Sequence, residues 1–292
     1  MYKGLSNPVN LLICAGLFFG SYACNSGKAN QQESAEKMLS DAQSMYEKKQ
    51  YDQAISAIDS LMKKYPGIFD VQRDAMHLKT LIVEQKTILD SIANDSIISS
   101  LKTTVDALSP KFKFVKTSDM VEGYYVLNSI PLNNLAKRTS IEARIDERGQ
   151  IYLTSSLYGH PIKHTFLKAE AGGETMSTKP VPFDNAKNYR FKDGRTPVEM
   201  VTFSKEACDT FCMFIAKQEN QNIRLSFCGN RAYSIAMSPA LKHGIAETYT
   251  YAVAKDSLRH VENLKLFYAK KLQITRKQSR QTAQNMSDTQ KK

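Results

Sequence analysis

Five cysteines and five histidines are the side chains in this chain best suited to nucleophilic or metal chemistry. Cys208 and Cys212 stand one helical turn apart beside Phe211 and Ile215, so both thiols are expected in a core, where free cysteine is a common small residue. Oxidation of one of them to Cys228 is the alternative, and it leaves an odd thiol. Zinc ranks third, because no histidine lies at ligand spacing to complete the set. His77, His160, His164, His243 and His260 are spread along the chain. Only His160 and His164 are four apart, and Pro161 with the strand-like run after it denies them a shared helical face. Surface or turn positions are expected for the histidines. Ser60-Leu61-Met62-Lys63 and Ser99-Ser100-Leu101-Lys102 have the spacing at which a lysine can activate a serine. Each lies in an amphipathic helical stretch without partner motifs, so both are read as chance. Phosphate loops, a nucleophile elbow and a dinucleotide fingerprint are missing. Asp146 and Glu147 sit in a turn, where solvation accounts for them. No catalytic, cofactor or metal site is expected, and the chain is read as non-enzymatic.

The remaining cysteine of interest is Cys24. Before it come Lys3, an apolar run from Val9 to Phe19 and the small residues Gly20-Ser21-Tyr22-Ala23. That run is too short for a bilayer, which needs about 20 residues. It has the layout of a secretory signal. Ser21-Tyr22-Ala23-Cys24 resembles the lipobox of bacterial lipoproteins, with Ser21 where Leu is usual, a relaxation similar to that of Bacteroidota-type lipoproteins. The resemblance implies cleavage before Cys24, a diacylglycerol thioether on its sulfur and an acylated amino terminus. Several acyl chains give stable anchoring where one would be marginal. The partners implied are the membrane, reached through this lipid, and an envelope protein. No acidic residues follow Cys24 directly, so the expected address is the outer membrane, facing the periplasm.

A net charge of +11 with 24% charged and 42% hydrophobic residues is ordinary for a folded protein and excludes a polytopic membrane protein. Residues 270–292 hold Lys270, Lys271, Arg276, Lys277, Arg280, Lys291 and Lys292 against Asp288. On an exported chain such a tail can meet anionic headgroups, and nucleic acid is not an expected partner. The absence of Trp argues against a Trp-based sugar platform.

The elements follow from periodicity. Residues 1–23 are read as the signal and 24–34 as a polar tether. Residues 35–108 are helical, opening with a hairpin over 35–65. Ala42, Tyr51, Ala54 and the closing Pro66 give that hairpin a likeness to one tetratricopeptide repeat. Val71, Ala75, Leu78, Ile82, Gln85, Leu89 and Ile92 then form a heptad seam, with a kink or break expected near Asn94-Asp95-Ser96. Residues 111–237 change period. Eight short alternating or aromatic runs, at 112–115, 123–127, 141–145, 151–154, 164–167, 198–203, 223–227 and 232–236, predict an antiparallel sandwich. A helix over 205–218 is inserted, and 172–194 is expected as a long loop or hairpin. Ser238-Pro239 opens a helix over 238–276, and 277–292 is expected to be a basic disordered tail. The two long amphipathic helices are expected to pair antiparallel.

The fold class expected is α+β. The function expected is a membrane-anchored, non-enzymatic interaction or scaffold module. The alternative is a ligand-binding lipoprotein whose β-domain takes a carbohydrate, a peptide or an envelope polymer.

Overall fold

The computed structural model describes residues 23–118, 120–132 and 135–290, so the signal read over 1–23 lies, but for Ala23, outside the described residues. The fold is α+β, with two compact units. One comprises the chain up to Leu89 together with residues from Lys270 onward, and the other is Asp90–Ala269.

The first unit is helical. Helices α1 (Ala23–Glu47) and α2 (Tyr51–Lys64) form a hairpin, followed by the start of α3 (Phe69–Leu108). Ala42 and Ala54 are fully buried, which lets helix backbones approach closely, and Ile58, Leu61, Val71, Leu78 and Ile82 fill the rest of this core. The Gln72 side-chain amide donates to the carbonyls of Met62 and Tyr65, at 2.9 and 2.8 Å, and so satisfies acceptors at the end of α2 that its own turns leave free. Helix α1 already begins at Ala23, so the residues read as a tether are helical. Their Gln- and Glu-rich sequence supports a turn-to-turn pair, Gln32 to Glu36 at 2.7 Å. The final helix, α5 (Pro239–Gln290), likewise continues through the residues read as a disordered tail. No Pro or Gly interrupts it there. Within this unit Arg276 on α5 pairs with Glu84 on α3 at 3.0 Å.

The second unit holds ten strands: β1 (Phe112–Val115), β2 (Tyr124–Leu127), β3 (Ser140–Asp146), β4 (Ile151–Tyr158), β5 (Phe166–Ala171), β6 (Glu174–Ser177), β7 (Asn188–Asp193), β8 (Thr196–Phe203), β9 (Arg224–Cys228) and β10 (Ala232–Ala236). They form two antiparallel sheets, of order β1-β2-β3-β4-β8-β7 and β10-β9-β5-β6. Helix α4 (Lys205–Lys217) buries Cys208, Phe211, Cys212 and Ile215 in a single core with Leu153, Leu157, Phe203, Leu167 and Phe227 from both sheets. The segment over 172–194 is not a bare loop, since it supplies β6 and β7 to opposite sheets.

Helix α3 is assigned without interruption from Phe69 to Leu108, so it does not break at Asn94. Asn94 is buried, and its amide donates to the Val261 carbonyl on α5 at 2.8 Å. A buried partner removes the reason for the polar triplet to break the helix. Asp95 pairs with Lys265 at 2.9 Å, while Lys111, just past the end of α3, pairs with Glu247 near the start of α5 at 2.6 Å, so α3 and α5 run in opposite directions within this unit. The buried seam of α3 also departs from the heptad: Asn94 and Ile98 are inside, whereas Leu89 and Ile92 are exposed.

Candidate functional site

Cys24 lies in the first turn of α1, and its side chain is outside the described set. Cys208, Cys212 and Cys228 are free thiols. Cys208 and Cys212 are buried, and Cys208 Sγ donates to the Phe203 carbonyl at 3.5 Å. Its contact with Cys208 and its burial push the Cys212 thiol well above the ordinary range, which suppresses the nucleophilic thiolate. Ser60 is exposed and bonds back to Ser56 O, and Lys102 pairs with Glu262. In the turn after β3, Glu147 accepts from the Gly123 main chain at 2.8 Å and from Lys116 at 2.9 Å. Those bonds hold its carboxyl below the usual glutamate range. Among the described residues no group of three or more His, Cys, Asp or Glu side chains is placed to hold a metal ion.

His164 departs from the expectation of a surface or turn histidine. It is fully buried, and it joins two residues that are remote in sequence. Its Nδ1 lies 2.9 Å from Glu199 Oε2, and its Nε2 lies 2.8 Å from Ser155 Oγ. Cross-strand register explains the meeting. Ser155 pairs with Val201 and Leu157 with Glu199, so Ser155 and Glu199 share the core face of adjacent strands β4 and β8. His164 enters from the segment leading into β5 of the other sheet. Lys163 adopts a left-handed φ of 60° just before it. That segment rests on the β9–β10 turn, where Asn230 N–H donates to Ile162 O at 2.9 Å. Gly229 permits the close approach, because a Cβ there would stand 2.4 Å from the Lys163 carbonyl oxygen.

Glu199 accepts main-chain N–H bonds from Lys163 at 2.6 Å and His164 at 2.8 Å as well as the imidazole contact. Burial alone would raise its pKa, but the His164 side-chain and main-chain bonds and the Lys163 bond outweigh it and hold the carboxyl below the usual range. An ionised Glu199 accepts from Nδ1–H, which leaves Nε2 as acceptor for the Ser155 hydroxyl. The order serine, histidine, carboxylate is that of a nucleophile, its base and the group that orients the base. Attack needs a substrate beside the serine oxygen, and Ser155 and His164 are both 0% exposed. Ser155 Oγ is also 3.3 Å from the Val201 carbonyl of its own sheet. In this geometry the three groups lock one sheet to the other.

The sequence held a signal for this group. Glu199 is in phase with Val201 and Phe203, and Ser155 with Leu153 and Leu157, so each alternating run places one polar residue on its apolar face. His243, by contrast, is an exposed helix residue 2.8 Å from Glu219, and His160 stacks on Tyr233 with ring centres 3.9 Å apart.

Two of the concavities on this unit are a helix groove and a slot at the sheet edge. One is a groove of about 740 Å³ along α3 and α5, lined by Ile97, Leu101, His260 and Val261 among others. The other, of about 390 Å³, lies between β3, the end of β10 and the start of α5. Its walls are Ile130, Ile141, Ala143, Ile235, Leu241 and Ile245, with Arg138 and Thr139 among its polar residues. No helix among the described residues is long and apolar enough to cross a membrane. Comparison with protein-family models, with curated proteins and with solved structures finds no match for this chain.

Proposed function

We propose that this chain is a cell-envelope lipoprotein, anchored through Cys24 and facing the periplasm, whose folded part is a non-enzymatic interaction module. The anchor rests on the Ser21-Tyr22-Ala23-Cys24 sequence and the short apolar run before it. The interaction reading rests on apolar surface left outside on the long helices of the Asp90–Ala269 unit. Ile92 is 63% exposed on α3, while Leu266 and Phe267 are 70% and 56% exposed on α5. Single exposed apolar residues are common, but Ile97, also exposed, lines an open groove with Leu101 and Val261, and that groove supports the reading of a contact surface. The helical hairpin with its buried alanines agrees with an interaction role, in the manner of the repeat it resembles.

Two measurements test the two halves. Growth with a clickable fatty-acid analogue should label the wild type and not Cys24→Ala, which should leave the membrane fraction. Label retained by Cys24→Ala would sink the anchor. A photo-crosslinking residue at Phe267 should give a discrete adduct in cells, and one at the exposed Lys192 should not. Equal, diffuse labelling at both positions would remove the interaction surface.

A further inference from the structure

The turn from α2 to α3 is fixed by its own bonds. Pro66 cannot continue α2. Tyr65 N–H closes that helix on Leu61 O at 3.0 Å, and Gln72 N–H bonds to Ile68 O at 2.9 Å as α3 begins. Tyr65 and Ile68 pack against the core of the hairpin. Phe69, next in line, is 79% exposed, more than any other phenylalanine among the described residues. The turn faces the start of α1 across a concavity of about 570 Å³, with Lys28, Gln31 and Gln32 on the far wall.

Helix α1 runs unbroken from Ala23. Cys24 therefore stands one turn ahead of Lys28, about 6 Å along the axis, with no loop between them. The headgroup layer on each side of the hydrocarbon is about 5–8 Å deep. A lipid on Cys24 thus brings Lys28 and the facing turn to the level of the headgroups. The side chains there suit that level. Lys28, Lys63 and Lys64 are exposed, and none of them forms an ion pair with a carboxylate among the described residues. Asp70, which also lines the concavity, is taken by Arg73 at 3.1 Å. Aromatic rings with lysines beside them match a membrane–water interface, where the cations meet anionic headgroups.

We propose that the α2–α3 turn is a second, non-covalent membrane contact beside the Cys24 lipid. Phe69 enters the boundary between headgroups and acyl chains, and Lys28, Lys63 and Lys64 lie against the lipid phosphates. The occupant of this face is the bilayer surface, because the anchor holds a bilayer within a helical turn of it. A single covalent point leaves the hairpin free to swivel, and a second contact sets its orientation to the membrane. The contact is too small to hold the chain alone, so it adds to the lipid and does not replace it. It rests on the proposed anchor, and it says nothing of the interaction surface on α3 and α5.

The chain contains no Trp, so Phe69→Trp gives a single fluorescent reporter at the turn. Gln50→Trp gives one at the other end of the hairpin, about 30 Å away along α1. Both positions are exposed, so neither substitution disturbs the core. The full chain, purified from its membranes in detergent, is reconstituted into vesicles of three parts phosphatidylethanolamine to one part phosphatidylglycerol. Lipids brominated on their acyl chains quench only a Trp that reaches them. They should lower the Phe69→Trp emission at least twofold and leave that of Gln50→Trp unchanged. Replacing Lys28, Lys63 and Lys64 with Gln in the Phe69→Trp chain should reduce the quenching at least twofold. Vesicle flotation reads the anchor separately. A chain that floats while Phe69→Trp is unquenched, or is quenched no more than Gln50→Trp, keeps the anchor and overturns the contact. Quenching unchanged by the three Gln substitutions overturns the part given to the lysines. A chain that does not float overturns the anchor and the contact that depends on it.

Discussion

Two places in the Asp90–Ala269 unit bring buried polar groups to a sheet boundary, and they are finished in opposite ways. At the first, Ser155, His164 and Glu199 consume one another, and the Lys163 and His164 main-chain donors are taken up as well. At the second, a slot of about 390 Å³ lies between Ile141 and Ala143 of β3 and Leu241, Gly244 and Ile245 of α5. The first holds side chains that elsewhere perform chemistry, and it is sealed. The second is walled largely by apolar side chains, and it is open. Residue type alone therefore misleads here. Burial and satisfied bonding point to stability at the buried triplet, whatever chemistry its residue types suggest.

Breaking the sealed site should have the largest effect. Glu199→Ala strands an imidazole and two main-chain N–H groups in the core, and should cost about 3–5 kcal/mol in a urea melt. A midpoint unchanged from wild type would remove the sheet-locking role. Gly229→Ala forces a Cβ against the Lys163 carbonyl and should cost about 1–3 kcal/mol by the same measurement. Ser155→Ala keeps the carboxylate and its main-chain bonds, so a loss near 1 kcal/mol is expected. A loss as large as that of Glu199→Ala would mean that the serine, not the carboxylate, organises the group. At the open site the sign reverses. Gly244→Ala should stabilise the chain by about 0.5–1 kcal/mol, since its Cβ finds ordinary contact. Destabilisation would show that the helix wall is already tightly packed.

Acid should sharpen the same contrast. The folded-state pKa of Glu199 is depressed, so its contribution is present above the unfolded-state glutamate value and lost as pH falls through the folded one. Below about pH 4.3 the wild type should lose stability more steeply than Glu199→Gln. Parallel pH curves for the two proteins would show that another carboxylate carries the acid response.

Much of the β architecture was legible from alternation. The runs at 112–115, 151–154 and 232–236 all fall within strands β1, β4 and β10, and the inserted helix starts at Lys205 as expected. Strands β6 and β7 were not legible. Glu174–Ser177 is short and largely exposed, and Asn188–Asp193 buries little besides Asn188, so neither shows an apolar rhythm. Asn94 misled because its amide finds a carbonyl 167 residues away, a partner that local propensity does not contain. The buried triplet was half legible, since strand phase marks Ser155 and Glu199. His164 was not, because its inward turn depends on the Lys163 backbone and on Gly229 beneath it. Nor does alternation show where β2 leaves β3, after Tyr125, just before the turn in which Ile130 N–H bonds to Leu127 O.

The proposal that sets where the chain works is lipid anchoring at Cys24, and intact-mass spectrometry of the chain purified from its own membranes tests it most directly. The account predicts a protein lacking residues 1–23, its amino-terminal cysteine carrying a diacylglyceryl group and an N-linked acyl chain. A mass matching the full chain, or a mature chain with an unmodified Cys24, would contradict it.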